Sequence, residues 1–231
     1  MQAWAVNPPP IPSVAVQGSG ARFPVRRIYC VGRNYVDHAV EMGFTGREPP
    51  FFFLKPGDAV LDGSAGETVL PYPPLTTDFH HEVELVAAIG TGGRDIPVEQ
   101  ALAHVWGYAV GLDMTRRDLQ ADMKKQGRPW CIGKGFDASA PIGALVPAVD
   151  APAIHDAAIT LHVNGAARQQ GRTAALIWNV AEIVAHLSRA WTLAPGDLIY
   201  TGTPAGVAAV VPGDVLQARI EGLPPLDLRV A

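Results

Sequence analysis

Asp78-Phe79-His80-His81-Glu82-Val83-Glu84-Leu85-Val86-Ala87-Ala88-Ile89-Gly90 decides how the rest of this 231-residue chain is read. Its second half is a run of Val, Leu, Ile and Ala closed by a glycine, the pattern of a mostly buried strand. Two carboxylates, Glu82 and Glu84, lie inside that run. Strand side chains alternate with period two, so both leave the same face, with His80 beside them. Two anions this close to a core repel each other and lose hydration, and one is forced neutral unless a cation sits between them. Two readings follow. Either this is a solvent-facing edge strand with two exposed glutamates, or it supplies two ligands of a hard divalent cation and a third is to be found elsewhere.

Size and composition restrict what the third ligand serves. A chain of this length buries a sizeable core. With 48% hydrophobic residues, a net charge of −4 and no basic cluster, it reads as a soluble globular protein that binds neither nucleic acid nor an anionic membrane surface. No apolar run reaches the roughly 18 residues of a membrane helix, and the first twenty residues have no basic region and contain three consecutive prolines, unlike a signal peptide. The expectation is a cytoplasmic protein. The 24 glycines and 21 prolines favour strands and turns over a helical bundle. Cys30 and Cys131 sit in apolar surroundings without metal-ligand spacing and read as buried free thiols.

Along the chain, residues 1–25 read as an extended arm with one short strand near 13–16, and residues 26–231 as a single domain. A strand over 27–31 leads through Gly32-Arg33-Asn34 into a helix over 35–42, which places His38 and Glu41 at i, i+3 on one face. Its glycine- and proline-rich exit suggests a lid. An aromatic strand over 50–55 ends at Lys55. A second buried strand over 105–113 is apolar until Asp113, which either points into a site or caps the helix expected over 115–125. That helix presents Arg116, Arg117 and Gln120. Lys134 lies between Gly133 and Gly135, in an apolar setting unlike that of a surface lysine. Asn164-Gly165 marks a hairpin. The loop Thr201-Gly202-Thr203-Pro204 offers N–H groups and hydroxyls suited to a carboxylate, but lacks the Gly-Lys-Ser/Thr ending of a phosphate loop.

Gly32-Arg33-Asn34-Tyr35 with His38 and Glu41, His81-Glu82-Val83-Glu84-Leu85, Leu112-Asp113-Met114-Thr115 with Arg117-Asp118, Lys134, and Thr201-Gly202-Thr203-Pro204 resemble, in this order, the fumarylacetoacetate hydrolase superfamily. The likeness is to its short, single-domain branch of acylpyruvate hydrolases, fumarylpyruvate hydrolases among them, and oxaloacetate decarboxylases. It covers roughly residues 26–230. The resemblance implies an α+β, mainly β fold, a mixed β-roll with flanking helices, and a homodimer. It implies Mg²⁺ or Mn²⁺ held by Glu82, Glu84 and Asp113. An all-oxygen donor set suits such hard ions better than zinc, since His80 and His81 lack zinc-site spacing.

For chemistry, the resemblance implies hydrolysis of a C–C bond in a 3-acylpyruvate, with fumarylpyruvate from aromatic catabolism as the expected small-molecule substrate. His38 with Glu41 is the water-activating dyad and Lys134 the partner of developing negative charge. Arg33, Gln120, Thr203 and Arg117 are the candidate substrate contacts. Oxaloacetate decarboxylation, or isomerisation of a 2-hydroxydienoate or of oxaloacetate tautomers, is the alternative on the same scaffold.

Overall fold

Residues 78–90 fold as two strands, Phe79–His81 and Val83–Ile89, which belong to different sheets. The computed structural model describes residues 4–35 and 47–231. Val83–Ile89 lies inside an eight-stranded mixed sheet, antiparallel to Val105–Leu112 on one side and to Leu198–Tyr200 on the other. All seven of its residues are buried, so the solvent-facing edge strand is excluded. Phe79–His81 pairs instead with Thr115–Arg116 and Ala208–Val210 in a small three-stranded sheet. Glu82 is the hand-over residue between the two sheets, and its carbonyl accepts from the Asp113 N–H at 2.9 Å.

The eight-stranded sheet continues from Leu198–Tyr200 to Arg27–Val31, in parallel, and ends at Phe52–Pro56 as its edge. Beyond Val105–Leu112 it runs through Ala140–Ile142 to Val60–Asp62. A five-stranded sheet (Ala166–Arg172, Ala158–Val163, Val215–Ile220, Leu226–Val230, Thr68–Leu70) packs on one face. There Leu85, Ala87, Val110 and Leu112 meet Ile159, Leu161, Leu216 and Leu228. The helix Val180–Ala190 covers the same core; Asn179 and Glu182 close a reciprocal capping box at its start, which satisfies backbone N–H groups the first turn leaves open. On the other face Val86, Ala88, Ala109 and Tyr200 pack under Val14, Phe23 and Val25. Each fully buried Leu, Ile or Phe in these layers contributes about 1.5–3 kcal/mol. The fold is thus α+β and mainly β, as expected.

The arm is more ordered than a single short strand. Ser13–Ala15 and Arg22–Pro24 form an antiparallel pair, and Phe23 lies against Trp106 with ring centroids 5.3 Å apart. The expectation for the two cysteines holds for Cys30 and fails for Cys131, which is exposed. Cys131 opens the short helix Cys131–Lys134, which turns Gly133 and Lys134 inward and leaves the first two residues outside. The expected helix and lid with His38 and Glu41 lie outside the described residues.

Candidate active site

The hand-over at Glu82 brings the three predicted ligands together. Glu84 lies opposite Gly111 in the central hairpin, and Asp113 follows directly on its second strand. One carboxylate oxygen from each of Glu82, Glu84 and Asp113 falls within 4.8 Å of the others, and all three residues are buried. Asp113 does not cap the following helix, which starts at Arg117 with Arg116 in the cap position.

Among the described residues, three cations form ion pairs with the triad. Lys134 Nζ donates to Glu82 Oε2 and to Asp113 Oδ2, each at 2.7 Å. Arg117 pairs with Glu82 Oε1 and donates to Gln120 Oε1 at 3.0 Å. The third is Lys55, 1% exposed, whose Nζ donates to the carbonyls of Met114 and Lys134 and lies 2.8 Å from Asp113 Oδ1. That last contact is off the line of a hydrogen bond, so Asp113 Oδ1 is held by charge and has no hydrogen-bond partner. The residue order explains Lys55: in Phe51-Phe52-Phe53-Leu54-Lys55, period two puts Lys55 on the side of Phe51 and Phe53.

The charges divide unevenly. Burial alone would raise the Glu82 carboxyl, but Lys134 and Arg117 outweigh it and hold it well below the usual carboxylate range. Burial also works against the Lys134 ammonium, but Asp113 and Glu82 reverse that and raise it. Glu84 is pushed well above its ordinary value by burial first, then by Asp113 and Glu82. Its Oε2 accepts from the Gly202 N–H at 2.7 Å, and no cation pairs with it among the described residues. Buried all-oxygen donors, an orphan lone pair on Asp113 and an under-compensated Glu84 fit a hard divalent cation such as Mg²⁺ or Mn²⁺.

The Thr201–Pro204 loop reaches the triad by running beside Val83–Leu85. Thr201 Oγ1 donates to the Leu85 carbonyl and Thr203 Oγ1 to that of Val83, both at 2.8 Å. Gly202 has φ +103°, and a Cβ there would come within 2.6 Å of the Asn34 Cβ. Only glycine fits both demands while aiming its N–H at Glu84. Asn34 spends its amide on the scaffold, donating to the carbonyls of Trp178 and Thr201 and accepting from the Trp178 N–H.

Of the predicted substrate contacts, Arg33, Arg117, Gln120 and Thr203 all line the cavity at the triad, with Phe53 and Trp130. The Thr203 hydroxyl donates to Val83 O and also accepts from Gln169 Nε2 at 2.7 Å. His80 binds Asp78 at 2.7 Å. Two residues went unrecognised in the sequence. Lys55 carried the same mark as Asp113, a charge at the end of an apolar run. Gln169, wholly buried, accepts from the Val83 N–H at 3.0 Å, meets His81 Nδ1 at 2.9 Å and holds Thr203 and Pro204. Nothing in its polar surroundings signals this.

Residues 27–231 match the family model described as fumarylacetoacetate (FAA) hydrolase, C-terminal. Among solved structures, the fumarylpyruvate hydrolase of Pseudomonas aeruginosa, crystallised with Mn²⁺ and pyruvate, is 56% identical with a TM-score of 0.97 and 99% of each chain covered. The mitochondrial oxaloacetate tautomerase FAHD1 of Rattus norvegicus is 42% identical over 205 residues, 89% of this chain and 91% of its own. The mitochondrial oxaloacetate decarboxylase of Dictyostelium discoideum is 41% identical over 198 residues, 86% and 90% of the two chains. The chain therefore belongs to the fumarylacetoacetate hydrolase family, in its short branch.

Proposed function

We propose that the protein is a divalent-metal-dependent hydrolase of 3-acylpyruvates, with fumarylpyruvate as substrate and fumarate and pyruvate as products, working in aromatic catabolism as a homodimer. The observation that carries this reading is the 56% identity, over 99% of both chains, to a fumarylpyruvate hydrolase crystallised with Mn²⁺ and pyruvate. The buried triad of Glu82, Glu84 and Asp113 supports it. The 42% identity to oxaloacetate tautomerases favours a second reading, tautomerisation or decarboxylation of oxaloacetate, which uses the same triad without an attacking water.

In the hydrolytic reading, Glu82, Glu84 and Asp113 hold Mg²⁺ or Mn²⁺. When bound, the ion supplies a fixed positive charge that polarises the adjacent keto and carboxylate oxygens of the substrate. His38, oriented by Glu41, takes a proton from water, whose oxygen attacks the acyl carbonyl. The C–C bond between that carbonyl and the pyruvate methylene then breaks. Its electron pair passes into the pyruvate half as an enolate, which regains a proton on carbon. Lys134, fixed by Glu82 and Asp113, presents positive charge where the negative charge grows. Arg33, Gln120, Arg117 and Thr203 orient the keto-acid end.

Turnover of fumarylpyruvate in H₂¹⁸O with Mn²⁺ tests the route. Fumarate should gain one ¹⁸O, and His38→Ala should slow cleavage roughly 10²–10⁴-fold while Mn²⁺ binding is retained. Unlabelled fumarate, or a His38→Ala variant of wild-type rate, removes the water-activating dyad from the account.

A further inference from the structure

The cavity at the triad measures about 20 Å³, room for an occupant the size of one water. The body of an acylpyruvate has to extend beyond it. A second cavity of about 430 Å³ shares Phe53, Trp130 and Lys134 with the triad's wall and lies within the usual range for small-molecule sites. A cavity of about 390 Å³ between Leu102, Ile154 and Val180 shares none of that wall.

The shared wall is aromatic. Trp130 stands edge-on to Phe51 with centroids 5.5 Å apart and is tilted against Phe53 at 5.8 Å. Lys134 Nζ lies 5.0 Å from the Phe53 centroid, so the same ring faces the triad's cation and the larger cavity. The lining of that cavity contains two cations, Arg128 and Lys134, and no acid. Lys134 is committed to Glu82 and Asp113. Arg128 lines the cavity and is exposed, and its guanidinium has no acidic partner among the described residues.

We infer that the Phe51–Phe53–Trp130 cavity is the acyl subsite, and that Arg128 selects acylpyruvates whose acyl chain ends in a carboxylate. This rests on the hydrolase reading given above and adds its specificity. A planar, conjugated chain stacks on the aromatic faces, and the guanidinium fork grips the far carboxylate in two hydrogen bonds. A methyl ketone such as acetylpyruvate leaves the cavity unfilled and Arg128 unused. Arg128 is thereby a specificity-determining residue remote from the bond that breaks.

The test is steady-state kinetics of wild type and Arg128→Met with Mn²⁺ on fumarylpyruvate and on acetylpyruvate. A charge-assisted hydrogen bond is worth about 1.5–3 kcal/mol, so kcat/KM for fumarylpyruvate should fall roughly 10- to 100-fold, chiefly through KM. The acetylpyruvate value should stay within about twofold, and Arg128→Lys should recover part of the loss because it restores charge without the fork. Equal losses on both substrates, or none on either, overturn the subsite while cleavage by the wild type leaves the hydrolase reading standing. A wild type that cleaves neither substrate overturns both.

Discussion

Replacing Lys55 with Met should destabilise the metal-free protein. Methionine keeps most of the volume, so the cavity term is small. What is lost is a buried ammonium 2.8 Å from Asp113 Oδ1 that also donates to the carbonyls of Met114 and Lys134. Removing one member of a buried ion pair costs about 3–5 kcal/mol, because the partner charge stays behind uncompensated. For a chain of this size, roughly 2–4 °C of melting temperature accompany each kcal/mol, giving a fall of roughly 6–20 °C in EDTA. A bound cation would neutralise the same excess of negative charge, so Mn²⁺ should raise the melting temperature of Lys55→Met by more than that of wild type. Thermal unfolding of both proteins with EDTA and with saturating Mn²⁺ reads out all four values. An unchanged melting temperature in EDTA, or equal Mn²⁺ shifts in the two proteins, would refute the role of Lys55 as counter-charge to the triad.

Two further outcomes follow from the same geometry. Because burial, Asp113 and Glu82 raise the Glu84 carboxyl, the metal-free protein keeps a proton there above the ordinary carboxylate range. Mn²⁺ affinity should then climb with pH by up to tenfold per unit until Glu84 ionises, and level off afterwards; calorimetric titration across a pH series measures it, and a flat profile contradicts it. The stability signs are opposite: Glu84, raised, stabilises the metal-free fold at low pH and loses that contribution as pH rises, whereas Glu82, lowered by Lys134 and Arg117, contributes above the ordinary range and loses it on acidification. Gln169→Leu leaves the Val83 N–H and the Pro204 carbonyl without this partner, at about 1–3 kcal/mol for each group left buried and unpaired. A lower urea midpoint together with a raised KM is expected, and an unchanged KM would separate Gln169 from the placement of Thr203.

The site was legible where a charge interrupts an apolar run. Glu82, Glu84 and Asp113 stand out in this way, and Lys134 does so through the apolar residues and glycines around it. Lys55 carries the same signature after Phe51-Phe52-Phe53-Leu54, but a lysine before Pro56-Gly57 also reads as the start of a turn. The break of the organising strand at Glu82 was not legible, because it is set by pairing with Thr115–Arg116 and Ala208–Val210, far along the chain. Gln169 was hidden for a similar reason. Its strand reads Ala-Ala-Arg-Gln-Gln-Gly-Arg, polar on both faces, and a register shift that leaves Arg168 without a cross-strand partner, between Ala167 and Gln169, accompanies the turn of Gln169 inward. Cys131 shows the converse error: an apolar neighbourhood in sequence does not fix burial in a helix of one turn, where two of four residues face out.

If the triad serves the cleavage of an acylpyruvate, substrate preference will show it. The most direct measurement is kcat/KM of the purified, Mn²⁺-loaded protein for fumarylpyruvate, followed as loss of the diketone absorbance, against kcat/KM for oxaloacetate, followed as decarboxylation and as tautomerisation. Fumarylpyruvate should be the preferred substrate, and EDTA should abolish its cleavage. Rapid turnover of oxaloacetate with acylpyruvates left intact would contradict it and move the protein to the tautomerase and decarboxylase reading.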